Sequence, residues 1–248
     1  LNGHAPSACI GPKNLNNKNN KKGAAMTRTF FGLLSLCLTA AAVAGVNSWT
    51  PVGPDGGGTG FVAYHPTTPD LVYAVTSKSI YRSADGGQTW VVALEDNSLN
   101  LGNIVVNPAD PTRALVAGFG TLFRSDDSGQ TFNFGPSPGI VSNLAVASDG
   151  SVLYAHESSQ DPGIFVSADF GDTWTQRAGT GLLTDNFITD FVVSPQDPNL
   201  LYVLYAQVGV FQSTDGGENW TQQSALTTLG TSKLAIDPVD SSRLLLAT

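Results

Sequence analysis

Carboxylates are the side chains of this chain with the widest chemical reach. Four of them, Glu157, Asp161, Asp185 and Asp190, fall in or beside loops and outside the repeated turns described next. Two such groups facing each other across a groove can act on a glycosidic bond, one as acid and the other as base or nucleophile. A second set suits holding a ligand more than cutting one: Asn103, Asn143, Asp190 and Lys233 recur at the starts of successive inner strands, and Lys78 and His156 stand in loops. His65 and His156, the histidines after residue 44, belong to no HExxH motif or Cys/His cluster, so no metal and no cofactor is expected.

What must position these residues is a repeat. The stretch SADGGQTW at residues 83–90 returns as SDDSGQTF at 125–132, SADFGDTW at 167–174 and STDGGENW at 213–220. Its aspartates are 42, 42 and 46 residues apart, a period that signals blades or solenoid turns. Within each copy the chemistry is that of a tight turn. Asp85, Asp127, Asp169 and Asp215 can accept bonds from backbone N–H groups just ahead, and Gly87, Gly129, Gly171 and Gly217 can take positive φ without steric cost. The aromatics Trp90, Phe132, Trp174 and Trp220 close the copies and bring a large apolar face to the next strand. These aspartates and aromatics are therefore read as structural. A D-G-G-Q run also lacks the alternating carboxylates of a calcium loop.

Each repeat reads as four strands. An inner strand comes first, at residues 61–64, 103–106, 143–146, 190–193 and 233–236, and a proline or Asp-Gly turn follows. The second strand is the most apolar, at 71–75, 114–117, 152–155, 200–205 and 244–247, and is expected to be buried on both faces. A third strand leads into the repeated turn, and a fourth leaves it. The expected fold is all-β: a β-propeller of four-stranded antiparallel blades, four complete and a partial fifth. The repeated turns and proline turns then share one face. The opposite, loop-rich face carries Lys78, Phe119, Gln207, the long segment 156–163 and the blade links with Glu95, Asp96, Asp185 and Phe187.

The pattern S-x-D-x-G-x-[TN]-[WF] resembles the Asp box of BNR-repeat β-propellers, and the resemblance covers nearly all of the chain after residue 48. Similar boxes occur in sialidases, xyloglucan-cleaving glycoside hydrolases, sortilin-type receptor domains and photosystem II assembly factors, so the box implies a fold and leaves the chemistry open. The sialidase option implies an arginine clamp, yet Arg82, Arg124, Arg113 and Arg243 all sit beside repeated or proline turns. The xyloglucanase option implies an aspartate soon after the Tyr-Ala of an early second strand, where this chain has Thr76, Ser77 and Lys78 after Tyr73 and Ala74. The basic patch expected of a photosystem assembly factor is missing. The reading is therefore a non-catalytic propeller that binds a glycan or protein partner through its loop-rich face. The alternative is a xyloglucanase-like glycoside hydrolase using Glu157, Asp161, Asp185 and Asp190.

The N-terminal part reads as a leader. Met26 and Arg28 precede an apolar run over residues 30–44 that ends in Ala42, Val43, Ala44, the pattern of a Sec-type bacterial signal peptide over 26–44. That run is shorter than the roughly 18–20 residues of a membrane span. Residues 1–25, rich in Asn and Lys, read as translated upstream sequence, and the propeller as 45–248. A secreted or periplasmic protein, with no membrane anchor after cleavage, is expected. The full chain carries 12 basic and 20 acidic residues; all five basic residues of 1–44 leave with the leader, and the acidic surface that remains disfavours nucleic acid. Both cysteines, Cys9 and Cys37, leave as well. Trp49 is in phase with the other closing aromatics, which makes it the start of an orphan fourth strand. The next aromatic after Trp220 would fall beyond Thr248, so the fifth blade is expected to be incomplete.

Overall fold

The computed structural model describes residues 53–54, 60–118, 120–157, 163–183, 186, 188–205, 207–225 and 233–247. The chain divides into two units, Leu1–Trp49 and Thr50–Thr248, and every described residue lies in the second. The expected leader, Trp49, Phe119, Asp161, Asp185 and Phe187 lie outside the described residues.

Among the described residues, eighteen strands follow one another in the second unit. Blade one is β1 (Phe61–Tyr64), β2 (Val72–Val75), β3 (Ser79–Ser83) and β4 (Val91–Glu95). Blade two is β5 (Leu101–Val106), β6 (Ala114–Gly118), β7 (Thr121–Ser125) and β8 (Asn133–Gly135). Blade three is β9 (Val141–Val146), β10 (Leu153–Glu157), β11 (Ile164–Ser167) and β12 (Thr175–Gln176). Blade four is β13 (Ile188–Val193), β14 (Leu201–Tyr205), β15 (Gly209–Ser213) and β16 (Thr221–Ala225). Two strands, β17 (Lys233–Ile236) and β18 (Leu244–Ala247), form a fifth sheet. Each sheet is an antiparallel meander in chain order, and the inner strands β1, β5, β9, β13 and β17 pack side by side in succession. The all-β propeller with four full blades and a partial fifth is the observed fold.

Side-chain alternation explains why the blades stack. Successive residues of a strand point to opposite faces, so a second strand placed between two neighbouring blades must be apolar on both. Tyr73 and Val75 of β2 meet Ile104, Val106 and Val116 of blade two, whereas Leu115 and Ala117 of β6 meet Leu144 and Leu153 of blade three. Tyr154 and Ile164 then meet Phe191, Val203 and Tyr205 of blade four, and Tyr202 and Leu204 meet Leu234 of blade five. The core is thus a row of four inter-blade layers.

All four repeated turns are built alike. Ser83 Oγ donates to Asp85 Oδ1 at 2.7 Å and accepts from Gly87 N at 2.8 Å, while Thr89 donates its N–H and hydroxyl to the same carboxylate at 2.8 and 2.6 Å. Ser125, Asp127 and Thr131 repeat this set, as do Ser167, Asp169 and Thr173. In the fourth box Asn219 donates to Asp215 in place of the threonine, at 2.9 Å from its N–H and 2.7 Å from its amide. The glycine in each, with φ between 75° and 94°, lets the chain turn under the serine. These donors hold Asp85, Asp169 and Asp215 down at about 2, with the Thr89 hydroxyl, the Ser167 hydroxyl and the Asn219 N–H leading in turn.

Candidate functional site: the loop-side mouth of the axis

The register of the blades brings five residues to equivalent places at one end of the inner strands: Phe61, Asn103, Asn143, Asp190 and Lys233. Four of them pair with the end of the second strand, Phe61 with Val75, Asn143 with His156, Asp190 with Leu204 and Lys233 with Ala247. Asn103 sits in a bulge between Leu101 and Ile104.

Asn103, Asn143 and Asp190 each reach to the following blade, and Lys233 reaches back to Asp190. Asn103 donates to Leu144 O at 2.6 Å and accepts from Leu144 N at 2.9 Å, replacing the strand–strand bonds that diverging inner strands cannot make. Asn143 donates to Asp190 Oδ1 at 3.2 Å. Asp190, only 7% exposed, accepts from Leu234 N at 2.7 Å and from Lys233 Nζ at 3.4 Å. Lys233 Nζ also lies 5.6 Å from the centre of the Phe61 ring, so the first and fifth inner strands meet at this mouth. A buried carboxylate is tolerable here because donors surround it.

His156 and Glu157 end β10 and are both buried. His156 Nδ1 lies 2.8 Å from Ser142 Oγ, while its Nε2 has no partner. Burial pushes the imidazole from 6.5 down to about 4, against the opposing pull of Glu157. Glu157 Oε1 accepts from Ile140 N at 3.1 Å, and its side chain lies over Gly139, where a Cβ would come within 2.9 Å of Glu157 Cγ. Ser142, exposed beside this pair, was not foreseen; its spacing from His156 matches no sequence pattern, and a bulge between His156 and Glu157 sets the approach.

The remaining loop-side residues are spread among their own blades. Lys78 donates from Nζ to Leu99 O, and Asp96 caps its own link by accepting from Ser98 N at 2.8 Å and Ser98 Oγ at 2.7 Å. The mouth therefore gathers Asn143, Asp190 and Lys233 into one chain of contacts and Ser142, His156 and Glu157 into another. Among the described residues no three His, Cys, Asp or Glu side chains gather as a metal site. A cavity of about 340 Å³ lies between blades three and four beside the third box, lined by Tyr154, Thr173, Arg177 and Asn199 among others, and none of the mouth residues lines it.

Four arginines, Arg82, Arg113, Arg124 and Arg177, each reach the box of the following blade. Arg82 Nε donates to Ser128 O at 2.9 Å, Arg113 Nη1 to Asp169 O at 3.1 Å, and Arg177 Nη1 to Glu218 Oε1 at 2.7 Å. Arg124 bridges Asp126 of its own box and Asp172 of the next.

No protein-family model matches the chain. It is 28% identical over 207 residues to the oligoxyloglucan-reducing end-specific xyloglucanase of Emericella nidulans, across 72% of this chain and 25% of that protein. The GH74 enzyme of Niastella koreensis superposes with a TM-score of 0.60 at 18% identity, over 75% of this chain and 34% of that one. YCF48 bound to D1 peptide superposes with a TM-score of 0.52 at 19% identity, over 76% of this chain and 60% of that one. The chain thus spans about a quarter of the curated relative's length and about a third of the GH74 enzyme's. With four Asp boxes in phase and these likenesses, the fold is that of the BNR-type Asp-box β-propellers.

Proposed function

We propose that this chain is a secreted or periplasmic propeller that binds a glycan or protein partner on its loop-rich face and performs no chemistry there. One observation carries the reading: the two described candidate carboxylates are already used as acceptors inside the fold. Glu157 takes Ile140 N and Asp190 takes Leu234 N, and both are buried, whereas a glycosidase pair must face its substrate. Ser142 and Lys233 at the mouth are exposed even though each also has a partner inside the fold, so a ligand can reach them. That a propeller of similar fold binds the D1 peptide makes a peptide the first ligand class to screen.

The second reading, a xyloglucanase-like hydrolase, is favoured by the curated relative. One experiment separates the two. The protein is screened against peptide and glycan arrays and incubated with xyloglucan, other β-glucans and a sialoside while reducing ends and free sialic acid are followed. Saturable binding without product supports the proposal. Product formation that disappears in Glu157→Gln or Asp190→Asn variants of unchanged melting temperature replaces it with the second reading.

A further inference from the structure

The blades repeat closely enough that each interface is a template for the others, and at one position they differ. On the third strand, the residue paired with the inward-plugging side chain of the second strand is Arg82 beside Tyr73, Arg124 beside Leu115, Val166 beside Tyr154 and Gln212 beside Tyr202. Arg82 Nε donates to Ser128 O at 2.9 Å, Arg124 pairs with Asp172, and Gln212 Nε2 donates to the Tyr202 hydroxyl at 2.9 Å. Val166 has nothing to donate. Blade two carries a second crossing arginine, Arg113, two residues before Leu115, and blade three has Val152 at that place. Both valines line the cavity of about 340 Å³ between blades three and four. The space therefore lies where arginine side chains run one interface earlier.

The acceptors that those arginines use are still in place here. Asp172 of box three holds two guanidinium groups, Arg113 on Oδ2 and Arg124 on Oδ1. Glu218, at the same position of box four, holds one, that of Arg177 at 2.7 Å. Arg82 and Arg113 also reach the box carbonyls of Ser128 and Phe170, whereas among the described residues no side chain donates to the equivalent Gly216 O. A Cβ on Gly216 would lie 3.2 Å from the Tyr154 hydroxyl and 3.3 Å from Asn199 Oδ1, so these groups stand together. Tyr154 donates its own proton to Pro198 O at 2.9 Å and receives none from Val166, unlike Tyr202, which receives one from Gln212. A guanidinium, all donors and no acceptor, matches this set, and Val152, Val166 and Ala168 form an apolar wall for its stem. Arg177 does not exclude a second cation, because Glu218 would then stand between two arginines as Asp172 does. Exposed Ala168, Thr173 and Thr175 keep the entrance open to solvent.

We propose that the cavity between blades three and four is a binding pocket for an arginine side chain presented by a partner protein. None of the mouth residues lines it, so it is a second site, and its test does not depend on the ligand of the mouth. The full chain is titrated with a capped Gly-Arg-Gly peptide to about 10 mM, the range a single side chain requires, while the methyl signals of Val152, Val166, Ala168 and Thr175 are followed by NMR. Saturable shifts confined to those methyls are expected. The same peptide carrying citrulline, the neutral isostere, or lysine, which lacks the planar fork, should bind at least about fivefold more weakly. Val166→Arg, which fills the pocket from within as Arg124 does one interface earlier, should abolish the response of Val152 and Thr175 at an undiminished melting temperature. Val152→Arg, patterned on Arg113, should do the same by a separate substitution. The citrulline comparison uses the parent chain and decides the matter even if neither variant folds. No shifts at 10 mM, shifts confined to other parts of the chain, an equal response to citrulline, or undiminished binding by either folded variant would each overturn the proposal.

Discussion

At the scale of single residues, two kinds of group couple this fold to pH, in separate windows. Buried His156 has a folded value near 4 against an ordinary 6.5, so the unfolded chain binds its proton first. Stability from this residue is complete above about pH 6.5 and is lost as pH falls toward 4, on the order of 3 kcal/mol. The box aspartates Asp85, Asp169 and Asp215, with folded values of about 2, act lower: what they contribute is present above about pH 4 and lost toward pH 2. Denaturant melts at pH 7, 5 and 3 should therefore show two descending steps. His156→Gln should flatten the upper step and leave the lower one, and Asp169→Asn should reduce the lower step, which Asp85 and Asp215 still supply, and leave the upper one. An upper step unchanged in His156→Gln would mean that the imidazole does not titrate as its burial requires.

At the scale of elements, the boxes belong to interfaces as much as to their own blades. Gly129 combines a φ of 75° with a Cβ direction that points 2.1 Å from Tyr73 Cε1 of the preceding blade. Gly129→Ala should therefore cost about 2–4 kcal/mol, from left-handed backbone strain together with overpacking. Tyr73→Leu in the same chain should return the packing share and leave the strain, a coupling that a double-mutant cycle reads directly. Additive costs would show that the ring is not what the glycine accommodates. This relation also marks where the sequence stops being informative. The period, the strands and the glycines of the boxes were legible because each follows from residues near one another in the chain. The partners of Asn103 and Asp190 were not, because they lie 41 and 44 residues on, in the next blade. Read alone, these polar residues look like ligand groups; in place, they carry inter-blade bonds. Asn103→Ala, which removes two bonds to Leu144 and leaves that backbone uncompensated, should cost about 1–3 kcal/mol.

At the scale of the second unit, stability is nearly one-dimensional, since among the described residues each of the four apolar layers joins two successive blades. The layer between blades four and five is the thinnest, with Tyr202, Leu204, Val210 and Leu234 as its buried members, and β18 exposes Leu245 on its far side. At the other end, β1 exposes Val62 and Tyr64. Opening should therefore begin at both ends and reach the middle last, which native-state hydrogen exchange can resolve. In dilute monomer, amides of β6, β10 and β14 should exchange through the global transition. Those of β17, β18 and β1 should exchange through smaller openings, several kcal/mol lower in free energy. If β18 exchanges as slowly as β6 in dilute solution, its outer face is already covered within one chain.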